Sequence, residues 1–306
     1  MIRKSPLRRL YIALILALMY VPILLVIIYS FNAARLSSVW SGFTLKWYGE
    51  LFRDRAMFTA LRNSVILGVL ASFGAAVLGT LGAAGMARSG GAFAGGPRPP
   101  AGKTKGKAPG FDPAFGLTLG LSRVMEYLST LPIMIPEIIL GVVFLAFFSL
   151  LGLPFGMVTL IIAHTAICVP YVYLLVKARL AGLDKAYVEA AKNLGAGEWR
   201  AFYDITLPLV LPAVVSGMLI SFAMSFDDVI ISVFVTGAHT NTLPIKIYSQ
   251  MKTGVTPKTN ALCTLLFVIT VVLCLFSAYL ARPQRELRHQ HRSKIDQSKQ
   301  SKGEVT

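Results

Sequence analysis

Apolar residues in this chain gather in long runs instead of alternating or forming one stripe per helix. Six runs reach the roughly 20 residues that cross the hydrocarbon layer of a bilayer. They are residues 10–31, 61–87, 128–151, 157–176, 209–235 and 261–281. The fifth is the least clean, because it contains Asp227 and Asp228. In lipid every backbone N–H and C=O must be satisfied within its own segment or a closed barrel. The pattern therefore predicts an all-α integral membrane protein of about six transmembrane helices. The first run follows Arg3, Lys4, Arg8 and Arg9, as in a signal peptide. Its length exceeds the roughly 7–15 residues of a signal h-region. It is read as a retained first span.

Charge sets the expected orientation. Of the 30 Lys and Arg residues, 22 fall in the N-tail 1–9, in 88–127, in 177–208 and in the C-tail. The other eight fall between the alternate pairs of spans. The positive-inside rule then places both termini in the cytoplasm, with a basic tail over 282–306. Composition agrees with lipid as the solvent: 55% of residues are hydrophobic and 14% are charged, against about 25% charged in soluble domains. The net charge of +16 could suggest nucleic acid. Its placement between apolar runs argues against that partner and for the bilayer.

Between the spans, three segments carry information. External residues 32–60 hold Trp40, Phe43, Trp47, Tyr48, Phe52 and Phe58, suited to a membrane interface. Thr44 could cap a short helix there, through Leu45, Tyr48, Leu51 and Phe52. Span two carries two ridges of small residues, Ala71/Ala75/Gly79/Ala83 and Gly68/Ser72/Ala76/Thr80/Ala84, which predict close helix packing in lipid. Residues 88–122 are rich in Gly, Pro and Lys and read as a flexible cytoplasmic linker. Gly102-Lys103-Thr104 approaches a phosphate-binding loop, but Pro97 stands where its first glycine belongs. ATP hydrolysis would then belong to another chain. Cys168, Cys263 and Cys274 form no cluster with histidine, and no metal site is expected.

The segment 184–208 is the most informative. Asp184 fits the N-cap of a helix over about 185–194, and Gly195 fits the left-handed position that ends one. Ala186, Ala190 and Ala191 give this helix a small-residue face. Trp199, Phe202, Ile205 and Leu209 then recur at helical spacing and are expected on the membrane surface, with Arg200 and Asp204 paired on the wet side. Pro208 and Pro212 would stiffen the passage into span five. Glu189-Ala190-Ala191, then Gly195, then Ile205-Thr206-Leu207-Pro208 resemble the cytoplasmic loop of the permease subunits of bacterial ABC importers. The resemblance implies a type I importer permease fold. It also implies that Glu189, Ala190, Ala191, Gly195, Ile205, Leu207 and Pro208 couple the chain to an ATPase subunit.

Further motifs narrow the resemblance. They are Tyr29-Ser30-Phe31-Asn32, Trp40-x-Gly42, Trp47-Tyr48, Pro132-x-x-x-Pro136-Glu137, Ser225-Phe226-Asp227-Asp228, Thr242-Leu243-Pro244 and Asn260-Ala261. Together they resemble the second permease type of the spermidine/putrescine importers. The resemblance implies a multi-pass protein of the bacterial inner membrane with no catalytic residues. Its partners would be a second permease, ATPase subunits that use ATP and magnesium, and an external binding protein. No cofactor is expected in this chain. Related permeases move other small solutes, and a secondary transporter independent of ATP is the rival reading. Acidic residues within spans tend to be functional. Glu137, about 21 Å along a continuous helix from Arg123, is expected near the midplane, and Asp227 and Asp228 nearer the outside. These three could contact a polycation. All three could instead cap helix ends or pair with His164, itself read as a packing residue, or with a lysine of the partner permease.

Overall fold

The computed structural model describes residues 6–34, 39–88, 124, 127–184, 186–238, 240–252, 254–272 and 275. The expected linker beyond Arg88, the end of the sixth span and the basic tail lie outside these residues. In chain order the helices are α1 (Pro6–Tyr29), α2 (Lys46–Arg53), α3 (Arg55–Arg88), α4 (Tyr127–Met134), α5 (Glu137–Leu150), α6 (Met157–Ala181), α7 (Ala186–Asn193), α8 (Glu198–Ala201), a π turn (Phe202–Thr206), α9 (Leu207–Asp227), α10 (Ile230–Val235), α11 (Leu243–Lys252) and α12 (Pro257–Val272). No strand occurs among the described residues; Asn32 and Phe43 form one isolated antiparallel bridge. The chain divides into two compact units, residues 1–54 with 250–306, and residues 55–249.

Within the unit 55–249, α3, α6 and α9 pack against one another. The reason is the small-residue ridges. Ala71, Ala75 and Ala83 are fully buried, and Ser72, Ala76, Thr80 and Ala84 are buried beside them. A Cβ at Gly79 would lie 2.9 Å from Val172 Cβ, 3.0 Å from Tyr173 N and 3.1 Å from Val169 O. One at Gly217 would lie 3.0 Å from Val172 Cα. The three backbones can meet only because these positions are glycine. Meanwhile Val69, Phe73, Val77, Leu78 and Leu81 of α3 point outward, as side chains facing lipid do. A second cluster joins Leu67, Phe148, Leu160, Ala163, Ile231 and Val235, where α5 and α6 meet α10.

Four helical stretches are long and apolar enough to cross a membrane: Leu10–Tyr29, Arg55–Ala87, Met157–Ala181 and Glu198–Asp227. Two of the expected spans are broken. The third is not one helix: α4 and α5 meet at a bend of 112°. Pro136 there is extended, at φ −54° and ψ 133°. Proline lacks the N–H that would continue the ladder, and it disfavours helix in the residue before it. The fifth begins earlier than expected, at Glu198, and breaks at Asp228, which is extended at φ −68° and ψ 128°. The sixth apolar run appears as α12, Pro257–Val272, shorter than a full span within the described residues.

In the other unit, the aromatic stretch after α1 is built around Asn32. Its side chain is fully buried, donates to Val39 O at 2.6 Å and accepts from Ser41 N–H at 2.9 Å. Trp47 Nε1–H donates to its carbonyl at 2.7 Å. The short helix expected there is α2, with Trp47 and Leu51 inward and Phe52 exposed. Thr44 Oγ1 accepts from Lys46 N–H at 3.2 Å, but the N-cap position falls on Leu45, so α2 starts one residue later than the expected Thr44 cap and without a side-chain cap bond. Lys258 and Asp54, both partly buried, pair at 2.6 Å.

Candidate functional site

The loop between α6 and α9 folds as its sequence requires. Asp184 Oδ1 accepts from Ala186 N–H at 3.0 Å, which caps α7. At the other end Gly195 takes φ +89°. Gly195 N–H donates to Lys192 O and Ala196 N–H to Ala191 O, both at 3.0 Å. These are the two bonds of a Schellman motif, which satisfies carbonyls that the helix end leaves open. Lys192 Nζ reaches Glu198 at 3.2 Å across the turn, tying α7 to α8. The small face of α7 divides. Ala191 is buried, whereas Ala186 and Ala190 face outward in line with Leu194, which is 89% exposed.

Behind α7 lies a cavity of about 430 Å³, whose walls include Ala84 and Ala87 of α3, Val188, Glu189, Phe202 and Ile205. Of the expected coupling residues, Glu189 and Ile205 share this cavity. Leu207 packs against the α3/α6/α9 core, and Pro208 is exposed. The amphipathic face expected through Trp199, Phe202, Ile205 and Leu209 is not formed. Phe202, Ile205 and Leu209 turn toward the cavity, and Trp199 is 65% exposed against Tyr203. Trp199 departs already in α8; the π turn that follows, Phe202–Thr206, keeps Phe202, Ile205 and Leu209 on one side, toward the cavity. It also relieves Pro208, which cannot donate along the ladder: Leu207 N–H reaches back five residues to Phe202 O. Arg200 and Asp204 pair at 3.4 Å as expected.

The three acidic candidates sit at the two breaks. Glu137 is the first residue of α5, exposed, at a helix end whose dipole favours a carboxylate. Its expected depth rested on a continuous helix, which the bend at Pro136 removes. Asp227 is exposed at the last position of α9. Asp228 turns the other way. Its oxygens accept from Ile231 N–H at 3.3 Å and Ser232 N–H at 2.8 Å, capping α10. Its Oδ2 lies 3.4 Å from His164 Nε2. The alternative weighed for the three, capping and pairing with His164, holds for Asp228. His164 is fully buried, with Nδ1 2.8 Å from Ser225 Oγ and Nε2 3.0 Å from Ser232 Oγ. Ser232 escaped the sequence reading, and Ser225 entered it only as the first residue of the Ser225–Asp228 motif, with no role. Their one available sign was their placement three before and four after the aspartate that breaks the helix.

A bundle of apolar helices joined by small-residue packing, two of its spans broken at acidic residues, and a capped helix on a glycine elbow define a multi-span membrane permease. The chain belongs to the family of binding-protein-dependent transport system inner membrane components, which it matches over residues 114–285. It is 34% identical over 290 residues to the putrescine transport system permease protein PotI of Escherichia coli K12, covering 92% of this chain and 94% of that protein. It is 36% identical over 272 residues to the spermidine/putrescine transport system permease protein PotC of the same strain, covering 89% and 92%. Among solved structures, a chain of a bacterial ABC transporter involved in the import of the acidic polysaccharide alginate superposes with a TM-score of 0.61 at 14% identity. The match covers 91% of this chain and 98% of that one. The MetNI methionine ABC transporter in an inward-facing form gives 0.52 at 20% identity, covering 73% and 95%. Both likenesses concern the fold. The expected family and the type I importer fold are thereby established.

Proposed function

We propose that this chain is the pore-forming subunit of an ATP-driven polyamine importer. It works beside a second permease, ATPase subunits and an external binding protein, with both termini in the cytoplasm. The similarity to putrescine and spermidine/putrescine permeases over about nine-tenths of the chain carries the substrate class. The elbow at Gly195 carries the mechanism. The outward stripe of Ala186, Ala190 and Leu194 is shaped to enter a groove on an ATPase subunit, and the capped helix passes its movement on. Beyond the turn, α8, the π turn and α9 run on as one helix from Glu198 to Asp227, so a push on α7 reaches the membrane interior without a flexible joint. ATP and magnesium act in the partner chain, and this chain hydrolyses nothing. Glu137 and Asp227 would replace part of the hydration of a passing polycation.

Uptake of labelled putrescine and spermidine by cells lacking this chain, with and without a plasmid copy, tests the reading. Restored uptake should survive collapse of the ion gradients and stop on ATP depletion. Uptake that follows a gradient and ignores ATP would make the chain a secondary transporter.

A further inference from the structure

The break in span five orients two adjacent carboxylates differently. Neighbouring positions on a helix point about 100° apart, and here the difference is locked. Asp228 is 6% exposed in its side chain and is engaged by two backbone N–H groups and by His164. Asp227 is exposed and makes none of these bonds. The lock belongs to His164, which stands on α6 and bonds both sides of the break: Ser225 on α9 and Ser232 on α10. With the ring proton assigned to Nε2, His164 donates to Ser232 Oγ at 3.0 Å with Asp228 Oδ2 beside it at 3.4 Å, and Nδ1 accepts from the Ser225 hydroxyl. Leu160 and Ala163 of α6 and Ile231 of α10 are all buried in the packing around it. Without the imidazole the buried hydroxyls of Ser225 and Ser232 lose their bonds to it and Asp228 loses a 3.4 Å contact, keeping its two backbone N–H bonds; buried polar groups so left rearrange until paired.

We propose that His164 is a positioning residue: by holding Asp228 inward as the cap of α10, it presents Asp227 to a cationic solute. Asp228 is 6% exposed and has an acceptor site on each oxygen taken by a backbone N–H, whereas Asp227 is exposed and makes no such bond among the described residues. The proposal rests on the polyamine reading for the identity of the solute. The orientation of the pair does not depend on it.

The test uses the complete importer in proteoliposomes, with putrescine and spermidine as probes. His164→Leu should raise KM about tenfold with a smaller change in maximal rate, and His164→Gln should restore most of the loss. Asp227→Asn should also raise KM, and the double variant should be no worse than Asp227→Asn alone, as for two residues acting through one contact. In a background without Cys168, Cys263 and Cys274, Asp227→Cys should react with a cationic thiol reagent at a rate that His164→Leu changes at least fivefold. Additive KM effects together with an unchanged labelling rate overturn the proposal. If His164→Leu does not assemble, Ser232→Ala must raise KM in the same direction, and a wild-type KM there also overturns it. A wild-type KM in Asp227→Asn, with labelling still dependent on His164, rejects the polycation contact and upholds the positioning role.

Discussion

Gly195→Ala isolates the elbow from every other effect. The glycine sits at φ +89°, and a Cβ there would meet nothing within 4 Å, so the substitution introduces no clash. What remains is the backbone. A non-glycine residue in the left-handed region costs about 1–2 kcal/mol. If the turn opens instead, it loses the bonds to Lys192 O and Ala191 O, together about 2 kcal/mol at a typical net value. Either route shifts the well-aimed population of α7 by about 5- to 30-fold, at 1.4 kcal/mol per tenfold. The helix is short and exposed, so the loss falls on its aim and not on the α3/α6/α9 core. Gly197 is the internal control. It lies two residues on at φ −64°, with open space around it, and Gly197→Ala should be harmless. Hydrogen exchange over 186–196 and ATPase binding by the purified permease in lipid discs read the effect. Gly195→Ala should exchange faster there and bind at least fivefold more weakly. Equal behaviour of the two alanine variants, within twofold, would refute the reasoning.

Glu137→Gln keeps size and removes charge; it should raise KM for a polyamine about three- to tenfold, a contact of about 0.7–1.4 kcal/mol, with normal membrane level, as measured by uptake and immunoblot. Gly79→Val should destabilise by about 1–3 kcal/mol through overpacking against Val172 and Tyr173, lowering the thermal midpoint in detergent, while Gly85→Ala, where a Cβ meets nothing, should leave it unchanged. For orientation, single cysteines at Gly102 and Thr240 in a cysteine-free background should label differently: an impermeant reagent on intact cells reaches Thr240 and spares Gly102.

The sequence made the helical parts legible where one local cause decides the structure. Asp184 and Gly195 bracket α7 because capping and positive φ each depend on one residue type. The ridges of span two appear as buried stripes because small size at four-residue spacing leaves one way to pack. The breaks were less legible. Hydropathy counts apolar residues and is blind to a 112° bend between two apolar halves, although Pro132 and Pro136 stood in the middle of span three. Asp228 was visible as a cap or a partner of His164, and it is both: its bonds to Ile231 and Ser232 N–H are local, while His164 lies 64 residues away in sequence. No local rule carries that pairing. The spacing of Phe202, Ile205 and Leu209 did predict a shared side, but hydropathy could not say that this side faces a cavity between helices while Trp199 turns away.

In the proposed function, ATP turnover in a partner chain drives a polyamine through this one by way of α7. Proteoliposomes holding the assembled importer, with ATP sealed on the ATPase side and binding protein with labelled spermidine on the other, test it most directly. Accumulation should need both ATP and the binding protein, and should fall in Gly195→Ala while the permease remains assembled. Accumulation driven by an ion gradient without ATP, or full ATP-dependent transport in Gly195→Ala, would contradict it.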